Sequence, residues 1–143
     1  MTTILDYGMG NLRSVEKAIE ALGAPVRIAE EVGDAERVIL PGVGAFGAAM
    51  ARLAPMRDEL RAFAASGRPL LGICLGQQLL FERSEEFGDH EGLGLLKGDV
   101  RYLPAGEGRK IPLMGWSAVT VEDEVLGRGV RSNDQFYFVH SLY

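Results

Sequence analysis

The sequence predicts an α/β fold with an open, mostly parallel sheet and helices on both faces. In the first half of the chain, short apolar runs alternate with segments of helical periodicity, and the loops between them are short. One of these runs, residues 70–73, is apolar at successive positions, as expected of a strand covered on both faces. From Gly92 onward, short strands and frequent turns predict antiparallel strands added at one edge of the sheet.

The N-terminal segment predicts the order strand, helix, strand, strand. Asn11 is expected to cap the helix, because its side-chain oxygen can accept a free N–H of the first turn, and Gly23 is expected to end it. The apolar residues of this helix recur at helical spacing: Leu12, Val15, Ile19 and Leu22. The predicted strands are residues 3–5, 25–28 and 37–40.

The remaining elements follow in the same way. Residues 41–44, sequence PGVG, are predicted to form an irregular loop directly after a buried strand. Helices are predicted over 46–53, 56–65 and 74–81, with the strand at 70–73 between the last two. The later strands are predicted at 95–96, 100–103, 111–114, 118–121 and 135–140.

Composition describes one ordinary globular domain of 143 residues, with 47% hydrophobic and 24% charged residues. The net charge of −5 and the absence of a basic cluster argue against a nucleic-acid partner. No apolar run approaches the ~20 residues that cross a membrane, and the N-terminus does not read as a secretory signal. The single cysteine excludes an internal disulfide and is compatible with a reducing cytoplasm.

The strongest chemical signal is Cys74, which lies between the end of a strand and the start of a helix. Gly72 and Gly76 flank it at −2 and +2, a pattern typical of a nucleophile elbow. The helix N-terminus would favour the thiolate, and the N–H of Leu75 would bind a developing oxyanion. The alternative is a buried structural cysteine, the commoner state of a lone cysteine.

The second signal is the 41–44 segment, which also follows a strand. Gly42, Val43 and Gly44 would present backbone N–H groups beside Cys74 at the carboxyl edge of the sheet, as a second oxyanion donor. The alternative is an ordinary turn.

Several segments then resemble one family. Residues 72–78, sequence GICLGQQ, resemble the nucleophile motif G-x-C-x-G-x-Q of the class I, triad-type glutamine amidotransferases. Residues 6–14 (DYGMGNLRS) and 41–46 (PGVGAF) narrow the resemblance to the glutaminase subunits of imidazole glycerol phosphate synthase, from histidine biosynthesis. Residues 115–116 (GW) and 136–141 (FYFVHS) fit the same subunits. The resemblance covers essentially the whole chain and implies a flavodoxin-like fold.

The resemblance implies a cytoplasmic glutaminase that uses neither cofactor nor metal. Cys74 would attack the side-chain amide of glutamine, release ammonia and leave a thioester that water hydrolyses. Gln78, Ser141 and Leu142 match positions that hold the amino-acid end of glutamine. The implied partner is a (β/α)₈-barrel synthase subunit, which forms a heterodimer with the glutaminase and receives the ammonia.

One part of the family pattern is absent. The family's catalytic histidine and glutamate lie in an F-H-P-E-type segment, and this chain stops at Tyr143 before any such segment. Of its two histidines, His90 lies in an acidic stretch expected to be a solvated loop, and His140 lies in the substrate-side segment. The chain is therefore expected to be a single, C-terminally incomplete amidotransferase domain with little or no glutaminase turnover alone.

Other hypotheses remain at this point. The chain could be another cysteine hydrolase with a flavodoxin-like fold, or a non-catalytic fragment that binds the synthase. A nucleotide-binding module is disfavoured, because Arg13 replaces the third glycine of G-x-G-x-x-G. Trp116 fits a core position and an interface position equally well.

Overall fold

The apolar runs of the first half form one parallel sheet in the computed structural model, which describes residues 1–106, 108, 110–123 and 125–143. Its strands are β1 (Thr2–Leu5), β2 (Val26–Ala29), β3 (Arg37–Gly42) and β4 (Leu70–Cys74). They lie in the order β2-β1-β3-β4, and each neighbouring pair is parallel. The predicted α/β class with a parallel sheet is confirmed.

Helices connect these strands. They are α1 (Leu12–Ala21), α2 (Phe46–Leu53), α3 (Arg57–Ala65) and the one-turn α4 (Leu75–Gln78), with a 3-10 turn at Ala54–Met56. Asn11 caps α1 as predicted, because its Oδ1 accepts the Ser14 N–H at 3.4 Å. The prediction of a loop over 41–44 is partly wrong, because Pro41 and Gly42 pair with β4 and end β3.

The chain divides into two compact units, Met1–Arg101 and Tyr102–Tyr143. In the first unit, β1, β3, α2 and α3 contribute most of the fully buried apolar side chains. These include Ile4, Leu5, Leu40, Phe46, Leu53, Leu60 and Phe63. Each side chain of this size stabilises the fold by roughly 1.5–3 kcal/mol relative to its exposed state. This packing fixes the strand ends that carry the candidate site.

Strand β4 departs from the prediction of a strand buried on both faces. It is one of the two edge strands of its sheet, and the side chains of Leu71 and Ile73 are 45% and 37% exposed. The apolar run identified the strand correctly, but composition alone could not say that one face is left partly open.

The helix predicted over 74–81 is also too long. Helix α4 is a single turn, and strand β5 (Phe81–Ser84) begins soon after it. The carbonyl oxygen of Leu80 accepts hydrogen bonds from the N–H groups of Leu95 and Leu96 at 2.8 and 2.9 Å. These tertiary hydrogen bonds take the place of the intrahelical bonds that a longer helix would make.

The later strands form two separate sheets. β5 pairs antiparallel with β6 (His90–Glu91) and parallel with β7 (Leu96–Val100). In the second unit, β8 (Leu113–Ala118) and β9 (Gln135–His140) pair antiparallel over their whole length. Antiparallel strands late in the chain are therefore confirmed.

Their predicted place at an edge of the first sheet is wrong, because these strands find their hydrogen-bond partners among themselves. The predicted strands at 100–103 and 118–121 are not formed as such. Tyr102 makes an isolated bridge with Leu142, and residues 119–121 are not in a strand. No helix there has the length and apolar character needed to cross a lipid bilayer.

The N-terminus of α2 takes its cap from a distant residue. Ala45 precedes the helix and offers no side-chain acceptor, whereas the Oε2 of Glu86 accepts the Phe46 N–H at 2.6 Å. A carboxylate at this position satisfies an N–H that has no intrahelical acceptor and interacts favourably with the helix dipole.

Replacing Gly76 with alanine is expected to destabilise the protein by about 3 kcal/mol, because overpacking of a well-packed site typically costs ~1–3 kcal/mol. A Cβ at Gly76 would overlap the carbonyl oxygen of Leu40, and the backbone of β3 cannot move aside as a side chain could. Urea unfolding followed by far-ultraviolet circular dichroism measures the loss.

Gly67→Ala is the matched control. Gly67 has a φ of +78° and open space around its Cβ position, so alanine there costs only backbone strain, about 1 kcal/mol. Equal losses for Gly67→Ala and Gly76→Ala would contradict the close approach of α4 to β3.

Replacing Glu86 with alanine is expected to reduce the free energy of unfolding by roughly 1–2 kcal/mol, the usual cost of a lost helix cap. Glu86→Gln should lose less than half as much, since its amide oxygen still accepts the Phe46 N–H. The same urea titration measures both variants. Exposed Glu30 provides the control, and a Glu86→Ala loss no larger than that of Glu30→Ala would rule out the cap.

Candidate active site

Cys74 forms the sharp turn between β4 and α4. Its backbone has φ +56° and ψ −120°, and apart from Phe87 it is the one non-glycine residue in the described part of the chain with a positive φ. Such a conformation costs ~1–3 kcal/mol and persists only where the surrounding packing holds it. The side chain is exposed. The alternative of a buried structural cysteine is therefore wrong.

The glycines that flank Cys74 allow this turn. A Cβ at Gly72 would lie 2.6 Å from the Gln77 nitrogen, and a Cβ at Gly76 would overlap the Leu40 carbonyl oxygen. Real Cβ atoms essentially never approach other atoms as closely as these two would. The turn therefore lies directly against β3 and against the first residues of α4, and only glycine permits that approach.

Gly42 is the residue of β3 that pairs with Cys74. The space where a Cβ of Gly42 would lie is filled by the Tyr7 hydroxyl at 2.8 Å and by the Gly76 nitrogen at 2.6 Å. After Gly42 the chain leaves the strand, Val43 is 53% exposed, and Gly44 has a φ of +98°. The pairing therefore brings the start of the 42–44 segment beside Cys74.

Leu75 follows Cys74 as the first residue of α4, and its side chain is buried. The N–H groups of a first helical turn have no acceptor within the helix, so they are the natural donors for an anion at this corner. The dipole of α4 is smaller than the sequence suggested, because the helix has one turn.

Tyr7 is a site residue that sequence reasoning missed. It is 5% exposed, and its hydroxyl donates a hydrogen bond to the Pro41 carbonyl oxygen at 2.8 Å. Burial raises the pKa of Tyr7 to about 12, with the negative charge of an ionised Cys74 as the smaller cause. The phenol therefore stays neutral and acts as a hydrogen-bond donor next to the Cys74 turn.

His90 is not the solvated loop residue that its acidic surroundings predicted. It pairs with the buried Ser84 in the β5–β6 hairpin, and its ring is half-buried against Gly47 of α2, where a Cβ would lie 2.6 Å from the imidazole. The hairpin therefore packs on the helix that follows the 42–44 segment, through His90 and through the Glu86 cap.

The remaining predicted site residues divide between the two units. Gln78 is half-buried and ends α4, one turn after Cys74. Ser141 and Leu142 follow β9 in the second unit, where the Ser141 carbonyl oxygen accepts the Leu103 N–H at 2.8 Å and Leu142 is buried. Also in that unit, the His140 Nδ1 lies 2.7 Å from the Leu142 carbonyl oxygen.

Trp116 lies on β8 and is 69% exposed, with its ring 5.5 Å from that of Tyr137 in an edge-on arrangement. Its position is therefore not a core position of the second unit.

Two further observations concern metal and nucleotide sites. No group of three His, Cys, Asp or Glu side chains that could hold a metal ion occurs among the described residues. The glycines of the disfavoured nucleotide fingerprint are occupied by packing: Gly8 lies against the Arg52 guanidinium, and Gly10 lies against the ring of Pro41.

The geometry at the end of β4 is suited to nucleophilic attack. An exposed cysteine lies in a strained turn, with α4 directly after it in the chain and Gly42 at the end of β3 paired with it. Backbone N–H donors act where an oxyanion develops, as in other acyl-transfer sites.

Comparison with known proteins agrees with this chemistry. The family described as glutamine amidotransferase class-I matches residues 3–143. Curated relatives include "Imidazole glycerol phosphate synthase subunit HisH" from Rhodopirellula baltica, Desulfitobacterium hafniense and Aquifex aeolicus, at 51%, 52% and 49% identity. The alignments cover 100%, 100% and 98% of this chain and 72%, 70% and 70% of those proteins.

A solved structure described as a glutamine amidotransferase shares the fold. It has a TM-score of 0.71 at 20% sequence identity and covers 98% of this chain and 70% of its own. The family match over nearly all residues and the half-identical relatives carry the assignment beyond the fold. The chain belongs to the class-I glutamine amidotransferase family of enzymes, among the HisH subunits of imidazole glycerol phosphate synthase.

Proposed function

We propose that Cys74 is the nucleophile that attacks the side-chain amide carbon of glutamine. Its sulfur bonds to that carbon, the amide oxygen takes the negative charge, and the N–H groups of Leu75 and of Gly42, Val43 and Gly44 stabilise it. Collapse of the intermediate expels ammonia after protonation of the leaving nitrogen. Water then hydrolyses the glutamyl thioester to glutamate and regenerates the thiol.

One observation carries this proposal: Cys74 is exposed in a positive-φ turn and pairs with Gly42. A structural cysteine would have no need of a strained backbone. A strained turn of this kind instead projects the side chain beyond the end of the strand.

The amino-acid end of glutamine is proposed to bind Gln78, Ser141 and Leu142. The amide of Gln78, one turn after Cys74, carries both donor and acceptor atoms, the types of group that bind an α-amino group and a carboxylate. All 143 residues are proposed to act as one amidotransferase domain in the cytoplasm, where a single free cysteine stays reduced.

The ammonia is proposed to pass to a (β/α)₈-barrel synthase subunit in a heterodimer, where it enters imidazole glycerol phosphate. The name shared by the relatives, subunit HisH of that synthase, supports the pairing. Channelling would keep ammonia from being protonated in water.

A chloromethyl ketone analogue of glutamine is expected to alkylate Cys74 with a saturable rate. Glutamine at about ten times its dissociation constant should slow the labelling about tenfold by competition. Intact-mass spectrometry counts the label, and Cys74→Ser should take none, because Cys74 is the single cysteine.

Two adjacent glutamines provide a matched pair for the same assay. Gln78→Ala should weaken glutamine protection roughly tenfold, the worth of about 1.4 kcal/mol, whereas exposed Gln77→Ala should leave it unchanged. Non-saturable labelling that glutamine does not slow would exclude a glutamine site at Cys74.

The chain alone is expected to hydrolyse glutamine at least about 10³-fold more slowly than the ~10 s⁻¹ median of enzymes, that is, below ~10⁻² s⁻¹. Neither histidine is proposed as the base, since His90 packs on Gly47 and His140 faces the Leu142 carbonyl oxygen. Coupled detection of ammonia or glutamate measures the rate, with Cys74→Ser as the background. Turnover near 1 s⁻¹ by the purified chain would contradict this expectation.

A further inference from the structure

Tyr7 lies at the start of the 42–44 segment, yet no step of the proposed reaction uses it. The residue follows β1 after Asp6, and its ring is buried, so the phenol oxygen is held among backbone atoms of the neighbouring strand. That oxygen lies 2.8 Å from the Pro41 carbonyl oxygen, to which it donates. Deleting it would leave a buried carbonyl without this partner.

The carbonyl of Pro41 belongs to the same peptide plane as the N–H of Gly42. A trans peptide is planar, and its C=O and N–H point in opposite directions. With the carbonyl held toward the Tyr7 hydroxyl, the Gly42 N–H points away from Tyr7. That direction is toward β4, with which Gly42 pairs, so the Tyr7 hydrogen bond and the β3–β4 pairing hold this peptide from opposite sides.

The surroundings of Gly42 make this orientation matter. Gly42 is the last residue of β3, its partner on β4 is Cys74, and the chain leaves the sheet directly after it. The Tyr7 hydroxyl and the first turn of α4 both lie on the side of Gly42 where a side chain would project, since a Cβ there would lie 2.8 Å from the phenol oxygen and 3.0 Å from the Leu75 Cβ. The Tyr7 hydroxyl therefore lies close to Gly42, next to both the 42–44 segment and Leu75, whose N–H groups are proposed to hold the oxyanion.

We propose that Tyr7 is a positioning residue for the oxyanion site: its hydroxyl holds the Pro41–Gly42 peptide at the end of β3 and so fixes the direction in which Val43 and Gly44 leave the strand and present their N–H groups to the oxyanion formed at Cys74. This inference rests on the proposed function. In the proposed reaction Tyr7 contacts neither the amide of glutamine nor the leaving ammonia. The neutral phenol suits the role, because burial raises the pKa of Tyr7 to about 12 and keeps the proton on the donor at all ordinary pH values.

The test is Tyr7→Phe, which removes one oxygen and keeps the buried ring. Two reagents report on Cys74 in the whole chain. The chloromethyl ketone of glutamine has a carbonyl that becomes an oxyanion when the sulfur attacks it. Iodoacetamide loses iodide by direct displacement, so its reaction forms no oxyanion. We expect kinact for the ketone to fall roughly 10- to 100-fold, as misplacement of a catalytic group by ~1 Å does. KI for the ketone and the iodoacetamide rate should stay within about twofold of wild type, a range worth only ~0.4 kcal/mol.

The control is Tyr137→Phe, which removes an exposed phenol oxygen from β9 and should leave both rates unchanged. An unchanged kinact for Tyr7→Phe would overturn the inference. An equal fall in the iodoacetamide rate would also overturn it, because Tyr7 would then act on the sulfur itself. A Tyr7→Phe chain that lacks the wild-type circular dichroism spectrum would show a requirement for folding instead of positioning, and would count against it as well.

The proposed function fails in a different way. If wild-type Cys74 reacts with the ketone without saturation or protection by glutamine, then the glutamine site is absent. Both the proposed function and the positioning role of Tyr7 then fail. If the wild type saturates and is protected but Tyr7→Phe matches it, only the positioning role fails.

Discussion

The close approach of two backbones at the carboxyl end of β3 and β4 is the constraint on which the candidate site depends. Gly76 lies against the Leu40 carbonyl oxygen, and Gly72 lies against the first residues of α4, at distances that exclude any Cβ. That contact holds Cys74 in a positive-φ conformation that would otherwise relax. The strain and the exposure of Cys74 thus occur together with this packing, and a side chain at either glycine would force the packed backbones to shift.

Polar contacts from distant parts of the chain hold the segment beside Cys74 at its two ends. The Tyr7 hydroxyl binds the Pro41 carbonyl oxygen where β3 ends, and the Glu86 carboxylate binds the Phe46 N–H where α2 begins. Between these contacts lies a short glycine-containing segment with little packing of its own. The site at this edge thus requires glycines, which let the backbones approach closely, and hydrogen bonds that hold the two ends of the segment beside Cys74. Glycines and long-range hydrogen bonds therefore occur together here.

The sequence could predict what local patterns determine. Apolar runs and helical spacing identified β1 to β4 and α1 to α3, and the glycines around Cys74 identified the turn. It could not predict pairing between strands distant in sequence, so the later strands were assigned to the wrong sheet. It also missed the Tyr7 hydroxyl and the Glu86 cap, because their partners lie 34 and 40 residues away and no periodicity marks such contacts. His90 was misjudged for the same reason, since its acidic neighbours gave no sign of its contact with Gly47.

The most direct measurement is a crystal structure of this chain with Cys74 alkylated by the chloromethyl ketone of glutamine. The account predicts a positive φ at Cys74 and the ketone-derived oxygen within hydrogen-bond distance, about 2.7–3.1 Å, of the Leu75 nitrogen and of at least one nitrogen of the 42–44 segment. An adduct whose oxygen points into solvent, or a Cys74 that has relaxed to negative φ and moved away from Gly42, would contradict the account.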